Sequence, residues 1–200
     1  IWGLGILGRR EPKRLEGLLP LLQDPDAEIR SQCALVLGDA PLAVASRSIA
    51  SLLGDPEPRV QMYAAIALGK LQDPETIEPL LQLLRDNNDH DPYLRYAAVS
   101  GLAGIGDRDA LLEHAEDPSS AARLGILLAL RRMGDPAIAR FLEDSNPRLV
   151  TEAARAIYDT PIHGAEVQLA DALDAYLQSG RANRSAQPAS DTLLRRLLAA

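Results

Sequence analysis

Several short patterns in the chain carry residue types that could do chemistry. GLGILG at Gly3 to Gly8 spells G-x-G-x-x-G, the fingerprint in which glycines turn a strand toward a helix N-terminus and a pyrophosphate. Carboxylates come in pairs at Asp24 and Asp26, Asp55 and Glu57, and Asp89 and Asp91, an arrangement suited to acid–base catalysis or to a hard cation. The densest stretch, RDNNDHDPY from Arg85 to Tyr93, adds Asn87, Asn88 and His90 but lacks the mid-loop Gly and terminal Glu of a calcium loop. One cysteine, Cys33, is a candidate nucleophile, and it excludes an internal disulfide or a C-x-x-C-H haem attachment in this segment. His90, His114 and His163 stand far apart, without H-E-x-x-H or other ligand spacing. Asn183, Arg184 and Ser185 spell a glycosylation sequon, which matters only in a eukaryotic secretory setting.

The elements that would position these residues repeat along the chain. A turn with Asp and usually Pro, then a branched apolar residue, then Arg or a substitute, then an Ala-rich helix recurs at Asp24, Asp55, Asp89, Asp117 and Asp144. Anchored on Ile29, Val60, Leu94, Ala122 and Leu149, the spacings are 31, 34, 28 and 27 residues. Positions four, seven, eight and eleven beyond each anchor align, as in Cys33, Val36, Leu37 and Ala40 or Ala98, Gly101, Leu102 and Ile105. That is the 3.6 period of a buried helix stripe, with a small residue at the seventh position to let helices approach. A second apolar run precedes each turn, for example Leu15, Leu18, Leu19 and Leu22, or Ile77, Leu80, Leu81 and Leu84. Each unit is therefore expected to be a helical hairpin. It is too small to bury its own apolar face and must stack on neighbours.

The repeat absorbs most of the candidate chemistry. Gly3 and Gly5 fall where Val36 and Gly38 stand in the next unit, so the glycine pattern reads as helix packing. The recurring carboxylates read as caps, the Asp of each turn taking an orphan backbone N–H of the following helix. Cys33 lies on the apolar stripe and reads as a small core residue. No catalytic, cofactor-binding or metal-binding residue is assigned.

Composition narrows the function classes. The net charge is -7, with 21 Lys and Arg against 28 Asp and Glu, which argues against binding a nucleic-acid backbone. Hydrophobic content of 46 % suffices for a core, and 4 % aromatics suits closely packed Ala and Leu helices. Charges break every apolar stretch well before the roughly 18 residues a membrane span needs.

In register, the Asp, the branched apolar residue, the Arg and the small-residue helix resemble HEAT repeats, the armadillo-like α-solenoid family. The resemblance implies an all-α, right-handed α-solenoid of stacked helical hairpins, truncated at both ends. It would be a single array over residues 1–200, with about five full repeats, a partial N-terminal one and an inserted polar loop at 179–189. IWGLGIL at Ile1 to Leu7 would open inside a second helix, and DTLLRRLLAA at Asp191 to Ala200 would begin another, as in a fragment of a longer polypeptide. Gln61 and Val150 replace the Arg found at Arg30, Arg95 and Arg123, so an Arg-to-Asp ladder between repeats would be interrupted there.

A closer resemblance, carried by IWGLGILG, by NPRLVTEAARAIYDTPI at Asn146 to Ile162 and by LLRRLLAA, is to the HEAT segment of bacterial membrane-bound dehydrogenases. It implies a periplasmic or exported segment connecting a dehydrogenase domain to a c-type haem domain. The expected function is accordingly a non-catalytic scaffold contacting protein partners or neighbouring domains, with no cofactor, nucleic acid, membrane insertion or small molecule. Two alternatives remain open: a HEAT-like lyase acting on a tetrapyrrole chromophore, and a DNA-binding HEAT-like glycosylase. Tyr93 and Tyr96, beside the acidic 86–91 turn, are the candidate partner contacts, packing against a neighbouring repeat being the favoured reading of Tyr96.

Overall fold

The computed structural model describes residues 1–8, 11–40, 42–159 and 161–182, and every regular element among them is helical. The α-helices are α1 (Trp2–Gly8), α2 (Ala27–Gly38), α3 (Ala45–Ala50), α4 (Pro58–Leu71), α5 (Ile77–Asn87), α6 (Pro92–Ile105), α7 (Arg108–Glu113), α8 (Ser120–Met133), α9 (Pro147–Asp159) and α10 (Glu166–Ala182). The fold class is all-α, built of helical hairpins of the HEAT type. No described helix is long and apolar enough to cross a membrane.

The aligned stripe is the core. Cys33, Ala64, Ala98, Ile126 and Ala153 are all fully buried, as are Leu37, Leu68, Leu102 and Leu130 four residues on. The first unit, Ile1–Ile126, packs α2 on α4 and α4 on α6. Small residues set that spacing: a Cβ built on Gly38 would lie 2.5 Å from Ala67 Cβ, and one on Gly69 would lie 2.8 Å from Gly101 Cα. The second unit begins at Leu127 and packs α9 and α10 on the turns around Phe141. α10 runs to Ala182, through the first residues of the polar loop expected at 179–189. The remainder of that loop, the sequon and the expected helix at 191–200 lie outside the described residues.

Two local expectations are corrected. The first helices are not uniformly α-helical: Pro12–Gln23, Ser51–Gly54, Pro74–Thr76 and Pro136–Glu143 wind as 3-10 helix. In Pro12–Gln23 the internal Pro20 lacks the N–H that an α-helical ladder needs.

The first Asp of each pair is also not the cap. Asp24 Oδ1 accepts from Asp26 N at 2.9 Å, and it is Asp26 that caps α2, accepting from Glu28 N at 2.8 Å. Asp144 and Asn146 repeat the relay, with Asn146 accepting from Arg148 N at 3.0 Å. Asp55 and Asp117 likewise accept from Glu57 N and Ser119 N. The leading Asp folds an Asx turn, and the residue two places on takes an orphan helix N–H at Asp26, Ser119 and Asn146, whereas Glu57 makes no side-chain cap.

The dense 85–93 stretch is a variation on the same turn. Asn87 accepts from Asp91 N and donates to Asp91 O, while Asp91 caps α6 through Tyr93 N at 2.7 Å. Asn88 and Asp89 take φ values of 43° and 60°, the left-handed region that these two residue types tolerate best. Asp89 pairs with Arg95. Its oxygen-bearing groups are thus occupied in folding the turn, and among the described residues no group of three or more His, Cys, Asp or Glu is placed to hold a metal.

Candidate functional site

A concave feature lies in the second unit, between α9 and α10, beside the turn through Pro161 and Ile162. It is a cleft of about 380 Å³ lined by Ile157, Tyr158, Pro161, Glu166, Leu169, Ala170 and Leu173. The lining follows from helix periodicity. Leu169 and Leu173 stand one turn apart on α10, with Ala170 leaving room beside them, and Ile157 closes the floor at 2 % exposure. Tyr158 remains 46 % exposed although its ring lines the wall. An aromatic held half in water beside an apolar wall offers a stacking surface.

Glu166 is the one carboxylate of the lining. It sits in the first turn of α10, and its Oε2 accepts from Gly164 N at 2.7 Å. Its own backbone N–H and that of Gly164 hold the carboxyl below the usual carboxylate range, against a smaller opposing effect of burial. His163 Nδ1 lies 3.1 Å from Oε1 but is itself 93 % exposed, a contact that solvent readily replaces. The cleft therefore offers an apolar slot, one aromatic wall and one ionised acceptor.

The first unit holds a different constellation. Arg85 on α5 donates through Nη2 at 2.6 Å and Nε at 3.0 Å to Asp117, and through Nη1 at 2.7 Å to Glu78. His114 Nε2 stands 3.8 Å from the second Glu78 oxygen. The Arg85 guanidinium keeps Glu78 below its ordinary value. At Asp117 burial pushes the pKa up, but Arg85 and the Ser119 N–H together outweigh it and leave the group low. Arg85 is raised above the usual arginine range by Glu78 and Asp117. Arg85 thus bridges two carboxylates, and the arrangement joins α5 to the turn that precedes α8.

The same logic places the ladder. Arg30 grips Asp55 of the next repeat with two bonds of 2.7 and 2.8 Å and returns Nη1 to its own turn at Asp24 O, 2.8 Å. Gln61 keeps only the second half of that role, donating to Asp55 O at 2.8 Å. The ladder is interrupted at Gln61, as its residue type predicts, and Arg85 supplies the next inter-repeat bridge from a first helix instead.

The remaining sequence candidates fall as follows. GLGILG lies within helix α1, where the fingerprint would require a strand-to-helix turn. Cys33 is fully buried, and burial pushes its thiol pKa up, away from nucleophilic character. Tyr93 and Tyr96 project from α6 at 74 % and 59 % exposure. They lie in the first unit, whereas the cleft lies in the second. Sequence reasoning passed over the cleft because Ile157 counts as core stripe and Leu169 and Leu173 as half of an ordinary hairpin. The available signal was the pairing of that i, i+4 stripe with an exposed Tyr and a first-turn Glu.

Comparison with known proteins bears on what such a fold does. A family model described as HEAT repeats matches residues 15–91 and 87–156. Bilin biosynthesis protein PecE of Mastigocladus laminosus is 29 % identical over 157 residues, covering 72 % of this chain and 58 % of that protein. The chain thus spans somewhat over half the length of that curated relative. Among solved structures, the archaeal HEAT-like repeats protein from Thermococcus onnurineus NA1 superposes with a TM-score of 0.56 at 14 % identity, over 99 % of this chain and 92 % of that one. A chain of the complex of CpcE and CpcF of phycocyanin lyase from Nostoc sp. PCC7120 superposes with a TM-score of 0.53 at 19 % identity, over 99 % and 86 %. At those identities the structural likenesses speak for the fold.

These relatives correct the functional expectation. A non-catalytic scaffold with no enzymatic role is overturned by a sequence relative described as a bilin biosynthesis protein. The exclusion of a small-molecule ligand loses its support with it. None of the proteins reported above is a dehydrogenase or carries a haem domain in its description, so the comparisons carry the HEAT-repeat resemblance and not the connector reading.

Proposed function

The chain belongs to the HEAT-repeat family, and from that premise we propose that it is part of a lyase system acting on a bilin, an open-chain tetrapyrrole. The observation that carries this reading is the 29 % identity to a bilin biosynthesis protein over 72 % of the chain. A repeat fold alone carries no such preference, since unrelated functions share it. The reading also suits the molecule's chemistry: a formal net charge of -7 disfavours nucleic acid, whereas an apolar cleft with one fixed acceptor suits an apolar ligand that has N–H donors.

A protein partner belongs to the same proposal. The structural neighbour comes from a complex of two proteins, and a linear repeat array presents extended faces for such contacts.

The test is co-elution. The purified chain is incubated with phycocyanobilin and passed over a sizing column, with absorbance followed at the bilin's long-wavelength band. Bilin travelling with the protein, with an altered spectrum, is the expected outcome. Complete separation of the two would contradict the reading.

A further inference from the structure

We propose that the cleft between α9 and α10 is where the bilin is seated, with the Glu166 carboxylate facing its pyrrole nitrogens. This inference rests on the function proposed above and adds a location and an orientation to it.

The observations converge on one ligand chemistry. Ile157, Leu169, Ala170 and Leu173 give an apolar lining, to which the half-exposed Tyr158 adds an aromatic ring. A flat conjugated ring system satisfies such a slot, because its faces are apolar and its π surface stacks on a tyrosine. At about 380 Å³ the cleft lies at the lower end of the roughly 300–1,000 Å³ typical of small-molecule sites. It takes part of an open-chain tetrapyrrole and lets the rest extend over the adjoining surface.

Glu166 adds a polar preference to the apolar slot: an ionised carboxylate attracts a row of N–H donors along one edge of a ring system. A carboxylate has about four lone-pair sites. Here two are taken by the N–H groups of Gly164 and of Glu166 itself, and a third faces the exposed His163. Acceptor capacity toward the ligand therefore remains, and it grows when the solvated imidazole moves aside. The backbone donors also fix the carboxylate's place, so a ligand N–H meets a pre-oriented acceptor. A fixed negative charge beside the pyrrole nitrogens favours the protonated bilin, whose long-wavelength absorption moves to the red.

The test uses the full chain and phycocyanobilin, with two substitutions at the cleft and one away from it. Ala170→Trp fills the slot from an exposed position on α10, where it leaves the core untouched. The expected result is a loss of affinity of at least about tenfold with an unchanged melting temperature. Glu166→Gln keeps size and removes charge. It is expected to bind at least about threefold more weakly than the parent and to lose the red shift of the bound bilin. Tyr93→Ala, in the other unit, should bind as the parent does. If the parent binds and Ala170→Trp binds equally well, the cleft is not the seat, and the broader function stands. If Glu166→Gln keeps the full red shift, the carboxylate does not face the nitrogens. If the parent binds no bilin, the proposed function itself fails.

Discussion

Replacing Gly69 by alanine adds one methyl group at a tight, backbone-lined helix crossing of the first unit, and its cost can be worked from the geometry. Gly69 lies on α4 against α6, and its Cβ would fall 2.8 Å from Gly101 Cα and 2.9 Å from each of Gly101 O and Ser100 O. All three are backbone atoms, so no side chain can swing aside, and the helices must separate. Overpacking of this kind costs about 1–3 kcal/mol, and backbone partners place it near the upper end. Alanine in place of a mid-helix glycine recovers about 1 kcal/mol of helix propensity. The net is a destabilisation of about 2 kcal/mol, which for a chain of this size lowers the melting temperature by about 4–8 °C. Gly17→Ala is the matched reference: that residue is exposed and its Cβ meets nothing within 4 Å. It should be neutral or slightly stabilising. Circular dichroism melts of both variants decide the matter. A Gly69→Ala chain that melts at or above the parent would refute the claim that small residues set this spacing.

Three further outcomes follow from the same structure. Ser46 Oγ is buried without a hydrogen-bond partner, so Ser46→Ala should raise stability by about 1 kcal/mol in urea titrations. Asp55 is held below its ordinary pKa chiefly by the Arg30 hydrogen bonds; its contribution is full above the unfolded value of about 4 and is lost as pH falls through the lower folded value. Stability measured against pH should therefore fall on acidification below about pH 4, and Asp55→Asn should flatten that slope as well as lower the plateau. Tyr93 is 74 % exposed, so Tyr93→Ala should change stability by no more than about 0.5 kcal/mol, and a larger loss would show a packing role.

Much of this molecule is legible in its sequence, and the limits have physical causes. The 3.6-residue stripe through Val60, Ala64, Ala67 and Leu68 identifies a core helix because only burial on one face produces that period, and all four are buried. Asp as a turn residue is legible too, but its partner is not. Asp24 bonding to Asp26 N, and not to the helix, depends on the path that Pro25 imposes between them. Gln61 announces the broken ladder by its residue type. That Arg85 spans to Asp117 from another helix, 32 residues along the chain, is a matter of tertiary reach that no local pattern encodes. The cleft is the least legible feature. Its lining residues each follow ordinary hairpin spacing, and the concavity arises only from the placement of α9 and α10 beside Pro161.

Function was read less well than fold for a related reason. A repeat explains away local motifs, so Gly3 to Gly8 and the carboxylate pairs read as packing and turn residues. The same subtraction discards any site assembled from ordinary repeat positions. Tyr158, Glu166 and Leu169 are such positions, and their meaning comes from being brought together around open space.

The most direct test of the account is an absorbance titration of the unmodified chain into a fixed concentration of phycocyanobilin. A saturable change that ends at one bilin per chain, with the long-wavelength band moved to the red, is the predicted result. A spectrum that stays that of the free bilin at every protein concentration would contradict it.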